Sequence, residues 1–382
     1  MFHDVPPGRH VFSTEHGPCG VAWTAAGVDR FELPHRDAAA AAAALARRAP
    51  DRPDTPRPPA PVRDLVKRVR AHLAGRPDPF ADVPLDLGSR TPFARAVAQE
   101  LRAVPPGSTV TYGELAARAG SPGAARAVGG VMATNPTPLL VPCHRVLPGG
   151  RGAGAFSGPG GPRQKEHLLL VEGVVLDPQL AAAYAHLTRA DRRLGRLITR
   201  YGPYAPGFGS GEDPWVILVT SIVHQQLSLK AAGTILNRVK ALTPGDGPPT
   251  PRRMARLDDD ALRGCGLSRA KVSFLKDLAA RVLDGRLDLA SLDTMSDEEA
   301  VTALTAVKGI GTWTAQMALI FHLGRLDVWP VGDLGMRNGL RLHLGLDEAP
   351  DEKAAGPLGD RYAPYRSLAA WYLWALVDGE PI

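Results

Sequence analysis

The stretch VPCHRVL at residues 141–147 places a thiol, an imidazole and a guanidinium side by side, at Cys143, His144 and Arg145. Adjacent Cys and His rarely chelate one metal ion, and no CxxC or HxxxH partner stands nearby, so a metal site is the weakest interpretation. A cysteine protease needs a histidine remote in sequence, and nothing singles one out. These residues alone leave two interpretations open, a buried inert thiol and an activated nucleophile.

A second candidate site lies at residues 304–340, where Gly309 and Gly311 flank Ile310 between two runs of helical period. Such a turn exposes successive backbone N–H groups at a helix N-terminus, which suits a DNA phosphate without reading base sequence. Asp333 follows Gly311 by 22 residues and precedes LGMRNGL. From its position alone it is a candidate helix N-cap.

The elements that must position these residues differ between the two halves of the chain. Residues 10–33 contain short β-prone runs broken by Gly and Pro, which predicts a small antiparallel sheet. Helices are predicted at 36–49, 62–74 and 91–104, and residues 107–135 have helix–turn–helix character. From about Asp177 onward the sequence is almost entirely helical in period. We therefore expect an α+β first half and an all-α second half.

The composition indicates a soluble globular protein of two or three domains, with 382 residues, 44% hydrophobic and 22% charged. Neither a membrane span nor a signal peptide is visible, so we expect a cytoplasmic protein without a membrane partner. The cysteines Cys19, Cys143 and Cys265 fit a reducing compartment and exclude four-cysteine metal sites. The net charge of +6 arises within residues 1–176, where 21 Lys and Arg face 15 Asp and Glu. This excess favours a polyanionic partner for the first half.

The cysteine motif lies in the longer stretch NPTPLLVPCHRV. Two further stretches of the first half are informative, TYGELAARAGSPGAARAVGGVMATNP before it and GAFSGPGGPRQKEHLLLVEG after it. Together they resemble O6-alkylguanine-DNA alkyltransferases, and the resemblance covers most of residues 8–176. It implies a small ribonuclease-H-like sheet domain at 1–85, followed by a catalytic helix–turn–helix domain at 86–176.

The chemistry of that family explains why these residue types would be needed. An alkyl group on guanine O6 is removed by in-line attack of a thiolate, so we expect Cys143 to be deprotonated near neutral pH. By resemblance, His144 takes the thiol proton through a water, and Glu172 orients and charge-stabilises that histidine. Asn135 holds the tight turns around the site, and Tyr112 donates a proton or hydrogen bond to the departing guanine. Because the thioether is a poor leaving group, the protein would act only once.

The resemblance also implies DNA contacts. The second helix of the helix–turn–helix, GAARAVGGVMA, is almost all Ala and Gly, and such a surface permits close approach to the minor groove. Arg126 would enter the base stack where the damaged base leaves, unless it is an ordinary surface arginine. Ser157 is implied to read the flipped base, and Arg145 and Phe156 are expected to contact DNA or the base. Phe156 stands where the family usually has Tyr, so one hydroxyl is missing. The histidines of the first part do not reproduce the family's zinc ligands, so we expect no metal.

In the second half, the 304–340 stretch is accompanied by VTSIVHQQLSLKAAGTI, CGLSRAKVSFLKDLA and YAPYRSLAAWYLWALVD. These segments resemble 3-methyladenine DNA glycosylase II of the helix–hairpin–helix superfamily and cover nearly all of 177–382. The resemblance implies that Gly309 and Gly311 bind DNA, and that Asp333 stabilises an oxocarbenium-like sugar and orients the attacking water. Gln226 and Leu227 would fill the gap left by the flipped base.

The residue after GIGT distinguishes two subclasses of the helix–hairpin–helix glycosylases. Bifunctional relatives place a Schiff-base lysine there, whereas this chain has Trp313, so strand cleavage by β-elimination is not expected. Trp313 would instead stack on a cationic base, which is worth roughly 0.5–2 kcal/mol. Trp371, Tyr372 and Trp374 are further pocket candidates, with burial in the helical core as the alternative.

Both halves thus point to alkylated DNA. We predict a monomeric fusion protein of the bacterial cytoplasm or nucleoid that acts on double-stranded DNA containing alkylated bases. One part would accept alkyl groups from O6-alkylguanine, with O4-alkylthymine as a further substrate. The other would excise 3-methyladenine and 7-methylguanine. No organic cofactor is implied. The alternatives are a damage-sensing or binding protein with only one active half, and a regulator that binds promoters once methylated.

Overall fold

A computed structural model describes residues 2–3, 5–150, 152–204, 213–245 and 247–379. The chain divides into two compact units, Met1–Pro203 and Tyr204–Ile382. All strands of the described residues lie in the first unit, and the second is helical, which confirms the predicted α+β and all-α halves. The sequence placed the junction at residue 177, whereas the two helices that follow this position pack within the first unit. No helix within the described ranges is long and apolar enough to cross a membrane.

The first unit begins with a three-stranded sheet and two helices and continues with six helices around a two-stranded sheet. Its strands are β1 (Gly8–Thr14), β2 (Gly17–Thr24), β3 (Gly27–Glu32), β4 (Val110–Thr111) and β5 (Val146–Leu147). Its helices are α1 (Ala38–Arg48), α2 (Ala60–Leu73), α3 (Pro92–Arg102), α4 (Tyr112–Arg118), α5 (Ala125–Ala133), α6 (Gly161–Val171), α7 (Pro178–Ala190) and α8 (Arg192–Tyr201).

The sheet β1–β2–β3 is antiparallel, as predicted for residues 10–33. Its inner face contributes Trp23 and Phe31 to a core that also contains Val62 of the amphipathic helix α2. Leu139 and Leu168 join the same core from the two segments that flank Cys143. Apolar burial therefore ties the sheet to the segments on both sides of the thiol.

The predicted helix–turn–helix is formed by α4 and α5. Thr111 and Glu114 make a capping box at the start of α4, in which each side chain accepts from the other residue's backbone N–H. Two glycines with positive φ, Gly120 and Gly123, allow the turn that follows. The short strand β4 precedes α4 and pairs in parallel with β5, which follows the cysteine motif. The pairing brings Tyr112 and the motif to the same edge.

The second unit is a helical array. Its helices are α9 (Pro214–His224), α10 (Leu229–Lys240), α11 (Pro251–Arg256), α12 (Asp259–Gly264), α13 (Arg269–Leu283), α14 (Asp297–Thr305), α15 (Thr312–Phe321), α16 (Leu334–Leu344), α17 (Glu352–Leu358) and α18 (Arg366–Asp378). Helix α18 is buried along most of its length. Helix α16 packs closely on it at Gly339, where a Cβ atom would lie 2.4 Å from the carbonyl oxygen of Leu373. This approach fixes the start of α16, where Asp333 lies.

Two histidines of the first unit form a half-buried pair. The rings of His16 and His167 are 4.4 Å apart in an edge arrangement. The Nε2 atom of His16 hydrogen-bonds the carbonyl of Leu73 at 2.6 Å, and Nε2 of His167 hydrogen-bonds that of Thr199 at 2.7 Å. Burial, reinforced by the neighbouring His16, lowers the pKa of His167 to about 3, and burial also lowers the pKa of His16. The second bond ties α8 to α6, which explains why α8 belongs to this unit.

This pair predicts acid sensitivity of the first unit. Between about pH 6.5 and 3 the unfolded chain binds a proton at His167 that the folded chain does not, so stability falls as the pH falls. From pH 7 to 5 we expect His167 alone to lower the free energy of unfolding by about 2 kcal/mol. The variant His167→Gln keeps an N–H donor for Thr199 without a titrating ring. Between pH 7 and 5 this variant should lose correspondingly less of its free energy of unfolding, as measured by hydrogen exchange of α6 peptides over a urea series. An identical pH dependence in both proteins would contradict the assignment.

Candidate active sites

Cys143 opens a single 3-10 turn, Cys143–Arg145, and is almost completely buried. A cavity of about 350 Å³ lies beside its thiol. The cavity brings together four of the predicted residues, Cys143, Tyr112, Phe156 and Ser157, and is completed by Gly129, Met132, Ala133 and Ala155. Because three of these lining residues lie on α5, the helix predicted to contact DNA forms one wall of the thiol site.

Asn135 holds the loop that leads to Cys143. Its Nδ2 donates to the carbonyl oxygen of Val141 at 2.7 Å, and its Oδ1 accepts from the backbone N–H of Thr137 at 3.1 Å. Within this loop Leu139 is held at φ +74, a conformation that non-glycine residues seldom adopt. The placement agrees with the predicted role of Asn135 in holding tight turns around the site.

His144 is fully buried and its tautomer follows from its partner. Nε2 lies 3.0 Å from Oε1 of Glu172 and must carry the proton to donate to it. Nδ1 is then unprotonated, and it has no hydrogen-bond partner among the described residues. Burial lowers the pKa of His144, with the Glu172 carboxylate acting against it. The ring is therefore a neutral base with one free nitrogen.

Glu172 ends helix α6 and forms a buried ion pair with Arg145. The Arg145 guanidinium donates from Nε to Oε2 at 2.9 Å and from Nη2 to Oε1 at 2.7 Å. A third donor, Nη1, reaches the carbonyl oxygen of Val104 at 2.5 Å. Burial acts to raise the pKa of the Glu172 carboxyl, but the N–H groups of His144, His72 and Arg145 around it outweigh burial and lower this pKa.

The burial of Arg145 corrects the prediction that it contacts DNA. Its side chain has no exposed surface, and its donors face Glu172 and Val104. Moving Arg145 toward a phosphate would leave the Glu172 charge buried without its cationic partner. Breaking a buried ion pair in this way destabilises the folded protein by about 3–5 kcal/mol. Arg145 instead stabilises the carboxylate that orients His144.

The state of the thiol also differs from the expectation of a thiolate near neutral pH. Burial raises the pKa of Cys143, and the hydrogen bond with Asn135 and the positive charge of Lys165 only partly oppose this. Burial therefore makes this thiol harder to deprotonate than a free cysteine, and the neutral imidazole of His144 is the base available beside it.

Lys165 is a residue of this site that the sequence analysis missed. It is fully buried, and its Nζ donates to the carbonyl oxygens of Val146 at 2.6 Å and Ala153 at 2.7 Å. It thereby fastens the segment that carries Phe156 and Ser157 to strand β5. Its spacing of three and four residues from the buried Leu168 and Leu169 was the available signal.

On the outer side of the thiol site, the structure leaves Arg126 exposed near the start of α5. The neighbouring surface of this helix consists of Ala and Gly residues, whereas Val128 and Met132 point into the core. Arg126 is thus exposed to solvent, and the smooth helix around it allows close approach of a groove.

In the second unit, the glycines at 309 and 311 have different structural tasks. Gly309 adopts φ +79, and a Cβ atom on it would lie 2.1 Å from the ring of Phe274. Gly311 is the N-cap of α15 and offers no side-chain acceptor to the first N–H groups of that helix. Those groups point outward from the helix start and suit a phosphate oxygen. The side chain of Gln225 donates to the carbonyl oxygen of Gly309 at 2.8 Å and braces the turn.

Asp333 is both a helix cap and the acceptor of two indoles. Its Oδ1 accepts from the backbone N–H of Met336 at 2.6 Å and from Nε1 of Trp374 at 2.8 Å. Its Oδ2 accepts from Nε1 of Trp313 at 2.7 Å. The N-cap interpretation is therefore true, but it occupies only one carboxylate oxygen, and the tryptophan predicted to stack on the base holds the other.

The aromatic candidates on α18 separate into two groups. Trp371 and Tyr372 are fully buried and belong to the core. Trp374 reaches Asp333, and its ring stacks on Phe321 with centroids 5.6 Å apart. Trp313 is 48% exposed, so one aromatic face beside the carboxylate is open to a ligand.

Gln226 and Leu227 occupy an exposed turn after α9. Gln226 adopts φ +57 and Leu227 is 40% exposed. Lys271 of α13, which the sequence analysis did not single out, donates from Nζ to the carbonyl oxygens of Val223 at 2.7 Å and Gln225 at 2.6 Å. The projecting turn is thus fastened at its base, which suits the predicted insertion into a base stack.

Comparison with known proteins matches each half of the chain to a family of DNA-repair proteins. Residues 92–174 match the family model of the 6-O-methylguanine DNA methyltransferase DNA-binding domain, and residues 219–358 match that of HhH-GPD superfamily base excision DNA repair proteins. DNA-3-methyladenine glycosylase 1 of Schizosaccharomyces pombe is 36% identical over 197 residues, which cover 51% of this chain and 86% of that protein. The chain belongs to the HhH-GPD superfamily of base excision DNA repair proteins. Its first half carries an alkyltransferase domain, so the chain is a fusion of two DNA-repair modules.

The relatives of the alkyltransferase half are matched over part of their length. The methylated-DNA–protein-cysteine methyltransferase of Methanothermobacter thermautotrophicus is 40% identical over 118 residues, covering 31% of this chain and 65% of that protein. The enzyme of the same name from Salmonella typhimurium is 51% identical over 86 residues, covering 22% of this chain and 49% of that protein. The chain thus spans between half and two thirds of these methyltransferases.

The two hairpin glycines of the HhH-GPD domain predict a difference in stability. Gly309→Ala combines a strained φ with a steric clash, so we expect it to lower the free energy of unfolding by about 2–3 kcal/mol. Gly311→Ala meets no neighbour and has an ordinary φ of −88, and its cost should stay below about 1 kcal/mol. Urea unfolding followed by tryptophan fluorescence reports on the second unit, which contains five of the six tryptophans. Equal costs for the two variants would show that the hairpin geometry is not as described.

Proposed function

We propose that the chain repairs alkylated DNA by two separate reactions. The first transfers an alkyl group irreversibly from O6-alkylguanine, or from O4-alkylthymine, to Cys143. The second hydrolyses the bond between sugar and an N-alkylated base such as 3-methyladenine or 7-methylguanine, with Asp333 as the carboxylate. One observation carries the proposal: a buried series of Cys143, His144 and Glu172 and a carboxylate held by two indoles occur on one chain, each in its matching repair module. The partner is double-stranded DNA, and the chain acts as a monomer in the bacterial cytoplasm or nucleoid.

In the alkyl transfer, the damaged base occupies the cavity beside Cys143. The sulfur attacks the alkyl carbon, an S–C bond forms and the C–O6 bond breaks. The thiol proton passes to Nδ1 of His144, through a bridging water, and Tyr112 supplies a proton or hydrogen bond to the departing guanine. Glu172 stabilises the imidazolium that forms. Since the thioether persists, each chain reacts once. A protein that only binds damage would not need a buried base with a free nitrogen beside a thiol.

The base reaches the cavity by rotating out of the duplex. Arg126 fills the vacated position in the stack, which lowers the cost of flipping by a few kcal/mol. Ser157 and the adjacent backbone contact the polar edge of the base, and Phe156 contacts its face.

In the excision reaction, the cationic base stacks beside Trp313 and the bond to the sugar breaks. The Asp333 carboxylate stabilises the positive charge that develops on the sugar and orients a water, which attacks C1′ and releases its proton to solvent. The hairpin at 309–311 holds a phosphate, while Gln226 and Leu227 fill the gap in the duplex. With Trp313 in place of a lysine no imine forms, so the product is an abasic site in an intact strand.

For the first reaction we expect Cys143→Ser to abolish transfer of a radiolabelled methyl group from O6-methylguanine in a duplex to the protein. His144→Ala should slow the single-turnover rate by about 10²–10⁴-fold, because it removes the general base. Both variants should excise 3-methyladenine at the wild-type rate, since their sites lie in the other module. Methyl transfer by Cys143→Ser at the wild-type rate would rule out Cys143 as the acceptor.

For the second reaction we expect Asp333→Asn to reduce excision of 7-methylguanine by about 10²–10³-fold without weakening binding to a duplex that carries the lesion. Asp351→Asn is the matched control, because Asp351 caps α17 with a 2.7 Å bond from the N–H of Ala354. If Asp333 served only as a cap, the two substitutions would have similar effects on excision and on stability.

A further inference from the structure

His72 is a buried histidine that the proposed chemistry does not use. It lies in the last turn of α2, within the sheet domain, and has no exposed surface. Its ring packs against Phe80 with centroids 5.2 Å apart. The nearest part of the thiol site is Glu172, a hundred residues later in the chain.

The protonation of the His72 ring follows from its surroundings. Nδ1 accepts a hydrogen bond from the backbone N–H of Asp78 at 3.0 Å. The Asp78 side chain is held by Arg68 through two bonds of 2.8 Å and by the N–H of Phe80. Since Nδ1 is an acceptor, the neutral ring carries its proton on Nε2.

Nε2 of His72 lies close to the carboxylate of the thiol site. The Nε2 atom is 3.3 Å from Oε1 of Glu172, the oxygen that also accepts from His144 and Arg145. Nε2 makes no hydrogen bond of good geometry with any described residue. Oε1 of Glu172 is the acceptor that a small shift of either side chain would bring into hydrogen-bond geometry with it. A distance of 3.3 Å is at the long end of hydrogen-bond lengths, and such contacts often shorten once substrate is bound.

We propose that His72 is a positioning residue for alkyl transfer: its Nε2–H holds Oε1 of Glu172 against His144, so that the sheet domain takes part in activating Cys143. This inference rests on the proposed alkyl transfer to Cys143. Rotation of the Glu172 carboxylate away from His144 would break the contact with His72 as well. Without the His72 donor, Oε1 is held less firmly and the imidazolium of His144 is less stabilised. Proton transfer from the thiol then becomes harder.

The other charged or titratable groups that face this cluster are few. Arg145 contacts Glu172 from the side of the cysteine turn, and Lys165 and Tyr112 face Cys143 from α6 and α4. None of these four residues, Arg145, Lys165, Tyr112 or Cys143, receives a hydrogen bond from His72 in the described structure. Substitutions of His72 therefore act on the thiol through Glu172 and His144, and His144 also feels the charge of His72 directly.

Two near-isosteric variants separate positioning from packing. His72→Gln places an amide N–H where Nε2–H lies, whereas His72→Asn keeps an acceptor for the Asp78 N–H and cannot reach Glu172. At saturating O6-methylguanine duplex, His72→Asn should transfer methyl about tenfold more slowly, and His72→Gln should recover most of the rate. The Kd for the duplex should be the same in all three proteins. Without DNA, the pH midpoint for alkylation of Cys143 by iodoacetamide should move upward in His72→Asn.

Three results would overturn the inference. The first is a wild-type rate and pH midpoint in His72→Asn, and the second is equal slowing in both variants, as loss of packing would produce. The third needs no variant: ¹⁵N NMR of the wild-type chain that found the His72 proton on Nδ1. If the wild-type chain itself transferred no methyl group, the proposed function would fail, and the NMR measurement would still decide the tautomer.

Discussion

A carboxylate removed from water stays charged only if hydrogen-bond donors replace the lost solvent. Three side chains bring N–H groups to the Glu172 carboxylate. Arg145 arrives from the cysteine turn, His144 from the same turn, and His72 from the sheet domain. Three features of the first unit accompany this charge. The Arg145 side chain is buried against Glu172, Nδ1 of His144 has no hydrogen-bond partner among the described residues, and the end of α6 lies beside His72 of α2.

The second unit fixes its carboxylate by other means. Asp333 is only partly enclosed, and no cationic side chain hydrogen-bonds it in the described structure; its oxygens accept from a helix N–H and from two indoles. An arginine at this position would compete for the same charge that the sugar must find in the transition state. Indole N–H groups fix the geometry and leave the full negative charge available. In the proposed reactions the two fixed carboxylates serve different purposes: Glu172 would stabilise an imidazolium, and Asp333 would face a sugar cation.

What the sequence predicts depends on how local the responsible interaction is. The helix–turn–helix, the glycine hairpin and the N-cap at Asp333 follow from residues within a few positions of each other, so they were predictable. The pairing of Cys143, His144 and Glu172 was predictable only through resemblance. Arg145 looked like a DNA contact because its partner lies 27 residues away and the sequence does not show which side it faces. The roles of Lys165, Lys271 and His72 depend on carbonyls and carboxylates brought near by tertiary packing. Likewise α7 and α8 read as part of the second module, and only bonds such as that between His167 and Thr199 reveal where they pack.

If both proposed reactions occur, one chain performs two reactions of different stoichiometry. The most direct test uses duplex DNA treated with a radiolabelled methylating agent, incubated in excess with the intact chain. Label bound to protein and label released as free base are counted over time. We expect protein-bound label to rise to one methyl group per chain and stop, while free methylated base continues to appear over many turnovers. Bound label without free base would contradict the role of Asp333, and free base without bound label that of Cys143. The absence of both would contradict the assignment of this chain to alkylation repair.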